Sequence, residues 1–425
     1  MIEYPADYEK TITKDGYRLE EDILKENDRL NSSNYYKNSY YPEVRKMLFV
    51  DSKDYSSVKT YQNSKEYDLN FYKRDRDKKV IFDKPYNVKL TESEVFIFPG
   101  DTIGMFSLQL ELDENSTLED VSDINYLAKS FNSDMNSKID IRESIEWIDW
   151  IEKNILVGEK IHGDDVKADD YSGSKFKMFT VIDTQLEQAH KERCHTLYDI
   201  GCGAPIGSAS GEIPRLTPSK SYYDKLMKGN ISVFNNWDAL ALFDSYTVVG
   251  TDLLTNTYSE KSYTTTYFRV YMINLFFKFN LYRFNANLHE GTLTVRDEFE
   301  NFLNTYDINQ IAFDFLPNLI YHTQRKALDT DVELKKFNKR ISRISEGIQE
   351  QQQQRTNALL TFVSVVASAG SIIPIYNNLE EIKAYLGWST NIFYTILGIL
   401  ILVIGFFLFK YIFSETYKTL SRKLK

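Results

Sequence analysis

The chain has 425 residues, a formal net charge of −10 and 42% hydrophobic content, enough for two or three domains with packed cores. The last 100 residues, from Lys326 onward, are net +5, and the 325 before them are net −15. A body this acidic repels phosphate backbones, which excludes generic nucleic-acid coating but leaves room for a local basic site.

The first twenty residues, MIEYPADYEKTITKDGYRLE, contain no apolar run of the secretory kind, so the N-terminal body is expected in the cytosol. Residues 1 to about 75 are rich in Tyr, Asn, Lys and Asp and predict irregular structure with short helices. KVIFD, EVFIFPGD and IGMFSLQLEL then read as strands. STLEDVSDINYLAKSF reads as a helix capped by Ser116 or Thr117, RESIEWIDWIEKNIL as another helix, and KFKMFTVID as a further strand. Residues 1–215 are therefore expected to form an α/β or α+β domain. Its acidic pairs, Asp164-Asp165 and Asp169-Asp170, are candidate ligands for a regulatory divalent cation, with solvated loop acids as the plainer alternative.

Two cysteines, Cys194 and Cys202, fit a reducing compartment and argue against a disulfide framework. With His190 and His195 they could ligate zinc. Their spacing matches no tight Cys-x-x-Cys knuckle, and ordinary core or loop residues are the alternative. HTLYDIGCGAPIG, residues 195–207, resembles the first glycine-rich motif of methyltransferases that bind S-adenosylmethionine. Pro205 and Pro214 spoil the expected helix, however, and no strand ending in an acid follows, so a loop or ligand-sensing segment is preferred. The five histidines form no clear catalytic set with a nucleophile, and no enzyme is expected.

Residues 216–315 read as mostly helical. Phe268 to Leu288 is very apolar, but Arg269, Lys278 and Arg283 interrupt it, which favours a packed helix over a membrane span. Over residues 316–355, Leu334, Phe337, Ile341, Ile344 and Ile348 alternate by three and four, the mark of a stalk helix with one packed seam. Since no stop signal precedes Gly370 and Pro374, one continuous helix is expected from about Pro317 to about Ile373.

Two long segments without charge follow, between Arg355 and Glu380 and between Lys383 and Lys410. Each exceeds the roughly 20 residues that span a bilayer. They predict a first transmembrane helix at 356–376, an outward loop at 377–384, a second transmembrane helix at 385–409 and a basic cytoplasmic tail at 410–425. Lys and Arg on both flanks, with acids in the loop, place both termini in the cytoplasm. Within the first segment, Asn357, Thr361, Ser364, Ser368 and Ser371 share one helical stripe. They are candidate pore-lining residues, with small-residue helix packing as the alternative. Tyr376, Asn377, Asn378, Glu380 and Glu381 would form the outer mouth. A two-helix hairpin cannot enclose a pore, so conduction requires a homo-oligomeric ring.

A long cytoplasmic helix entering the first of two C-terminal spans, an acidic body, a short outward loop and the basic end SRKLK together resemble the CorA-like magnesium transporter superfamily. The resemblance covers about residues 230–425. It implies a CorA-like fold and a pentameric ring. The family's Gly-Met-Asn motif is replaced by Tyr376-Asn377-Asn378, which removes the basis for magnesium selectivity. The expected function is an oligomeric ion channel or transporter in the bilayer, gated by its cytoplasmic domain and relaxed in ion selectivity. The alternatives are a ligand-gated pore-forming effector of bacterial antiphage defence or stress signalling, and a non-conducting membrane-anchored sensor or scaffold. The expected location is the bacterial inner (cytoplasmic) membrane, crossed twice. No cofactor is expected beyond a divalent cation, transported or regulatory, and the gating ligand would be a small or nucleotide-type molecule.

Overall fold

The computed structural model describes residues 2–3, 5, 7–20, 39–48, 58–74, 79–98, 103–137, 144–161, 175–255, 262–288 and 292–370, with scattered positions between 378 and 399. The chain divides into two compact units, Met1–Ser342 and Arg343–Lys425.

The larger unit begins with an eight-stranded sheet. Its strands are β1 Ile2–Glu3, β2 Arg18–Leu19, β3 Lys59–Asn63, β4 Tyr67–Arg74, β5 Val80–Ile97, β6 Ile103–Glu111, β7 Asp134–Ser137 and β8 Ile145–Glu146. The main path runs β1-β6-β5-β4-β7-β8, and β3 carries β2 at its side. Every pairing in it is antiparallel. The 18-residue β5 receives β4 along its first part and β3 along its last. Its pairing with β6 slips by one residue between Leu90 and Glu92. Such a bulge inverts which residues face the core, from Val88 and Leu90 before it to Val95 and Ile97 after it. The broken alternation explains why two strands were expected where the chain makes one. The expectation of irregular structure before residue 75 is also corrected. Leu69 and Phe71 of β4 are fully buried, within a run of four buried residues set among Tyr, Asn and Lys.

Helices α1 Tyr8–Lys14, α2 Pro42–Leu48, α3 Leu118–Lys129 and α4 Trp147–Asn154 belong to the same unit. Thr117 caps α3 in a reciprocal box with Asp120, which satisfies two backbone donors at its start. The Trp147 ring stands edge-on to Phe71 at 5.1 Å, and its Nε1 donates to Ala128 O at 3.1 Å. That bond lets a large aromatic bury its polar edge without loss.

A second, four-stranded sheet is made of β9 Met178–Asp183, β10 Ile231–Phe234, β11 Trp237–Ala241 and β12 Ser245–Gly250, in the order β10-β11-β12-β9. Strands β9 and β12 are parallel, and the others pair antiparallel. The chain between β9 and β10 forms α5 His190–Cys202 and α6 Lys220–Met227, with Leu197 and Ile200 of α5 in the core against Leu240 and Val249. Residues 231–250 were expected to be helical and are instead strands. Asn235 and Asn236 turn β10 into β11, a two-residue hairpin link of the kind Asn favours. At the far end of β12, a Cβ on Gly250 would stand 2.5 Å from Trp237 Cβ, so only glycine fits.

The helical part comprises a π-helical turn, Ser262–Tyr267, then α7 Phe268–Asn287, α8 Thr292–Tyr306, α9 Phe315–Ala327 and α10 Thr330–Gly370. Helix α7 is buried on every side. Its charges are met by protein: Arg269 lies 2.6 Å from Glu20 and 3.6 Å from Glu94, and Lys278 lies 2.7 Å from Glu333. Of the stalk seam, Phe337 and Ile341 are buried, and the Phe337 ring packs edge-on against Phe299 at 4.6 Å.

The single helix expected from Pro317 is interrupted at Asp329, where φ is +52°. Neither glycine nor proline marks the place. Lys278 Nζ donates to Leu328 O at 2.6 Å, and Arg325 spans the break to Asp331 at 2.8 Å. Asp tolerates the left-handed region better than most residues, and the buried lysine claims the carbonyl that the break releases. Lys278→Met keeps the length of the side chain and removes its donor. It is expected to cost about 2–3 kcal/mol by urea denaturation; a loss below about 0.5 kcal/mol would show that the break does not depend on that donor.

The C-terminal transmembrane hairpin is not shown by the described residues. Among the described residues no helix is long and apolar enough to cross a membrane. Helix α10 is described as far as Gly370, and residues 371–376 of the first expected span lie outside the described residues. The second expected span, at 385–409, and the tail at 410–425 lie outside the described residues except for scattered positions. The fold class is corrected to a mixed α/β body with a long helix, and the expected location across a bacterial inner membrane loses its structural basis.

Candidate metal centre

Among the described residues, one group of donors is arranged to hold a metal ion: His190, Cys194 and Asp238, whose donor atoms all lie within 4.8 Å of one another. His190 and Cys194 are four residues apart in the first turns of α5, so they share one face. Asp238 comes from β11, opposite Val249 of β12. Since β9 and β12 are parallel and β11 runs against them, the start of β11 lies at the carboxyl ends of the parallel pair. The turn from β9 into α5 opens at that same edge, where open α/β sheets commonly bind ligands.

Asp238 is wholly buried. Its Oδ2 accepts from Arg193 Nε at 2.6 Å, and Arg193 is also buried. Its Oδ1 lies 3.1 Å from His190 Nδ1 but accepts no hydrogen bond, because the imidazole is directed at Oδ2, also at 3.1 Å. Arg193 further donates from its terminal nitrogen to Gln188 O, tying the segment before α5 to the site. Cys194 Sγ lies 3.6 Å from His190 Nε2 and accepts from Asn230 Nδ2 at 3.6 Å. The His190 side chain is 59% exposed, so the group is open on one side.

The order thiol, imidazole, carboxylate is also that of a nucleophilic relay. Burial and the nearby Asp238 carboxylate push the Cys194 thiol up to about 11, and its side chain is hidden from solvent. Nucleophilic relays depend on the opposite, a depressed thiol in an accessible, electropositive setting. Metal ligation suits the arrangement better, because a cation displaces the thiol proton directly.

The other two candidate zinc ligands are elsewhere. His195 faces the Tyr223 ring at 5.8 Å, and Cys202 ends α5 beside Tyr198. The glycine-rich stretch proves to be the end of α5, with Gly203 at φ +66° closing the helix and helix, not strand, directly before it. Asp199 is buried and accepts from Gly207 N at 2.9 Å and Ala209 N at 2.8 Å, which folds the following loop onto the helix. The acidic pairs at 164–165 and 169–170 lie outside the described residues.

The hydroxyl stripe belongs to the second unit, Arg343–Lys425. Asn357 and Ser364 are exposed on α10, and Thr361 Oγ1 donates back to Asn357 O at 2.8 Å, within the helix. Of the outer-mouth residues, Asn378 and Glu381 are exposed. The Ser368 side chain, Ser371, Tyr376, Asn377 and Glu380 lie outside the described residues. Sequence reading missed Asp238 and Arg193 because both stand in ordinary surroundings, WDALA and HKERC. A charged residue near the start of an otherwise apolar strand was the available signal.

No family model, curated protein or solved structure matches this chain. None therefore bears on the resemblance to the CorA-like superfamily.

Proposed function

We propose that this protein is a cation-responsive regulatory module whose body binds a divalent metal ion at His190, Cys194 and Asp238. The observation that carries this reading is the convergence of three unlike donors, from a helix and a strand, at the carboxyl edge of the β9–β12 pair. Arg193 joins Asp238 to the Gln188 carbonyl, so a change at the carboxylate reaches the segment between β9 and α5. Occupancy of the site would thereby set the order of that segment.

The test is thermal unfolding of the full chain with and without added divalent cations. A ligand present at 100 times its dissociation constant stabilises the folded state by about 2.7 kcal/mol. The transition should rise accordingly in the wild type and stay unmoved in His190→Ala, whose exposed ring can be removed without disturbing the core. Hydrogen exchange across residues 184–189 should slow in the same samples. An equal rise in both proteins, or none in either, would overturn the reading.

A further inference from the structure

We infer that the cation this site selects is a thiophilic ion of the zinc type, held through the Cys194 sulfur, and not magnesium or calcium. The inference rests on the cation-binding reading above and adds the chemical class of the ion. Magnesium and calcium are bound by oxygen, from carboxylates, carbonyls and water. Here a single carboxylate oxygen is offered, together with an imidazole nitrogen and a sulfur. Sulfur and imidazole donors select zinc and its neighbours.

The geometry agrees with this class. Zinc bonds of about 2.3 Å to sulfur and about 2.0 Å to nitrogen and oxygen set tetrahedral donor separations of about 3.3–3.6 Å. His190 Nδ1 already stands 3.1 Å from Asp238 Oδ1 and 4.0 Å from Cys194 Sγ. Closing the group around an ion needs shifts of about an ångström or less, toward the ideal separations. Two neighbours support the ligands as outer partners do in metal sites. Arg193 occupies Asp238 Oδ2 and leaves Oδ1, which accepts no hydrogen bond, for the metal. Asn230 directs its amide at Sγ, where it would stabilise the thiolate.

Binding breaks the Cys194 S–H bond, releases its proton to solvent and forms the sulfur–metal bond, with no change of oxidation state. Asp238 and the thiolate bring two negative charges to the ion, and Arg193 remains paired with the other carboxylate oxygen. Three protein donors leave a fourth position facing the exposed side of His190, which water fills.

Cobalt(II) titration of the full chain, followed by absorption, is the decisive experiment. The wild type should bind one equivalent, with a near-ultraviolet thiolate-to-cobalt charge-transfer band and intense visible bands of tetrahedral cobalt. Zinc should abolish these bands stoichiometrically, and excess magnesium should leave them. Cys194→Ser should lose the charge-transfer band, and Asn230→Ala should weaken binding by about tenfold or more. If cations stabilise the protein but Cys194→Ser binds cobalt, zinc and magnesium as the wild type does, the site survives and its thiophilic character falls. If His190→Ala also binds unchanged, or the wild type binds nothing, the site itself falls. Bands that persist in Cys194→Ser and disappear in Cys202→Ser would place the sulfur ligand elsewhere and overturn the inference.

Discussion

Arg193→Met should lower the free energy of unfolding by about 3–5 kcal/mol, among the largest losses available to a single substitution here. The guanidinium and the Asp238 carboxylate are both buried, with Nε 2.6 Å from Oδ2. Removing one partner strands the other charge where water cannot reach it, and that stranded charge, rather than the lost attraction, sets the size of the effect. His190 stays at 3.1 Å and shields the carboxylate in part, which favours the lower end of the range. The double variant Arg193→Met with Asp238→Leu removes both charges and should recover most of the loss. Urea denaturation of the wild type, Arg193→Met, Asp238→Leu and the double variant gives the coupling energy directly. A single-variant loss below about 1 kcal/mol would mean that the pair is solvated in the native protein.

Phe276→Ala is expected to cost about 3–5 kcal/mol for a different reason, loss of packing. Phe276 is fully buried in α7, with its ring stacked on Phe98 at 3.4 Å and edge-on to Tyr306 at 5.0 Å. Phe98 follows β5 directly and Tyr306 ends α8, so one ring joins the large sheet to the helical part. The cavity left by alanine cannot close without moving two elements, and the penalty should approach the upper end. Phe276→Leu keeps most of the volume and should lose clearly less. Equal losses in the two variants would point to aromatic stacking, and not volume, as the source of the stability.

The fold was legible where local chemistry repeats. Helix α3 was readable from its cap, Ser116 or Thr117, because capping is a short-range pattern, and the structure selects Thr117. Strand β6 was readable from IGMFSLQLEL, and α7 from an apolar run whose basic residues had to find partners inside the protein. Strand β5 was misread as two because a bulge reverses its alternation, and bulges are set by the partner strand. Strands β10–β12 were misread as helix because their short runs carry no period long enough to decide. The break before α10 was invisible for a similar reason. It depends on Lys278, about fifty positions earlier in the chain, reaching the Leu328 carbonyl.

The sequence by itself determined two of the site's three donors and the spacing between them. His190 and Cys194, four apart, share a helix face wherever the helix goes, because the period of the helix is fixed by its backbone. Only the tertiary structure decided that Asp238 completes the group while His195 and Cys202 do not join it. Strand pairing brings Asp238 beside a helix 36 to 48 residues away in the chain, and no local pattern encodes which carboxylate will arrive. It also decided that Arg193 neutralises that carboxylate on one oxygen and leaves the other for a ligand. Burial makes this pairing compulsory, since an ion enclosed by protein must find its counterpart there or lose its charge.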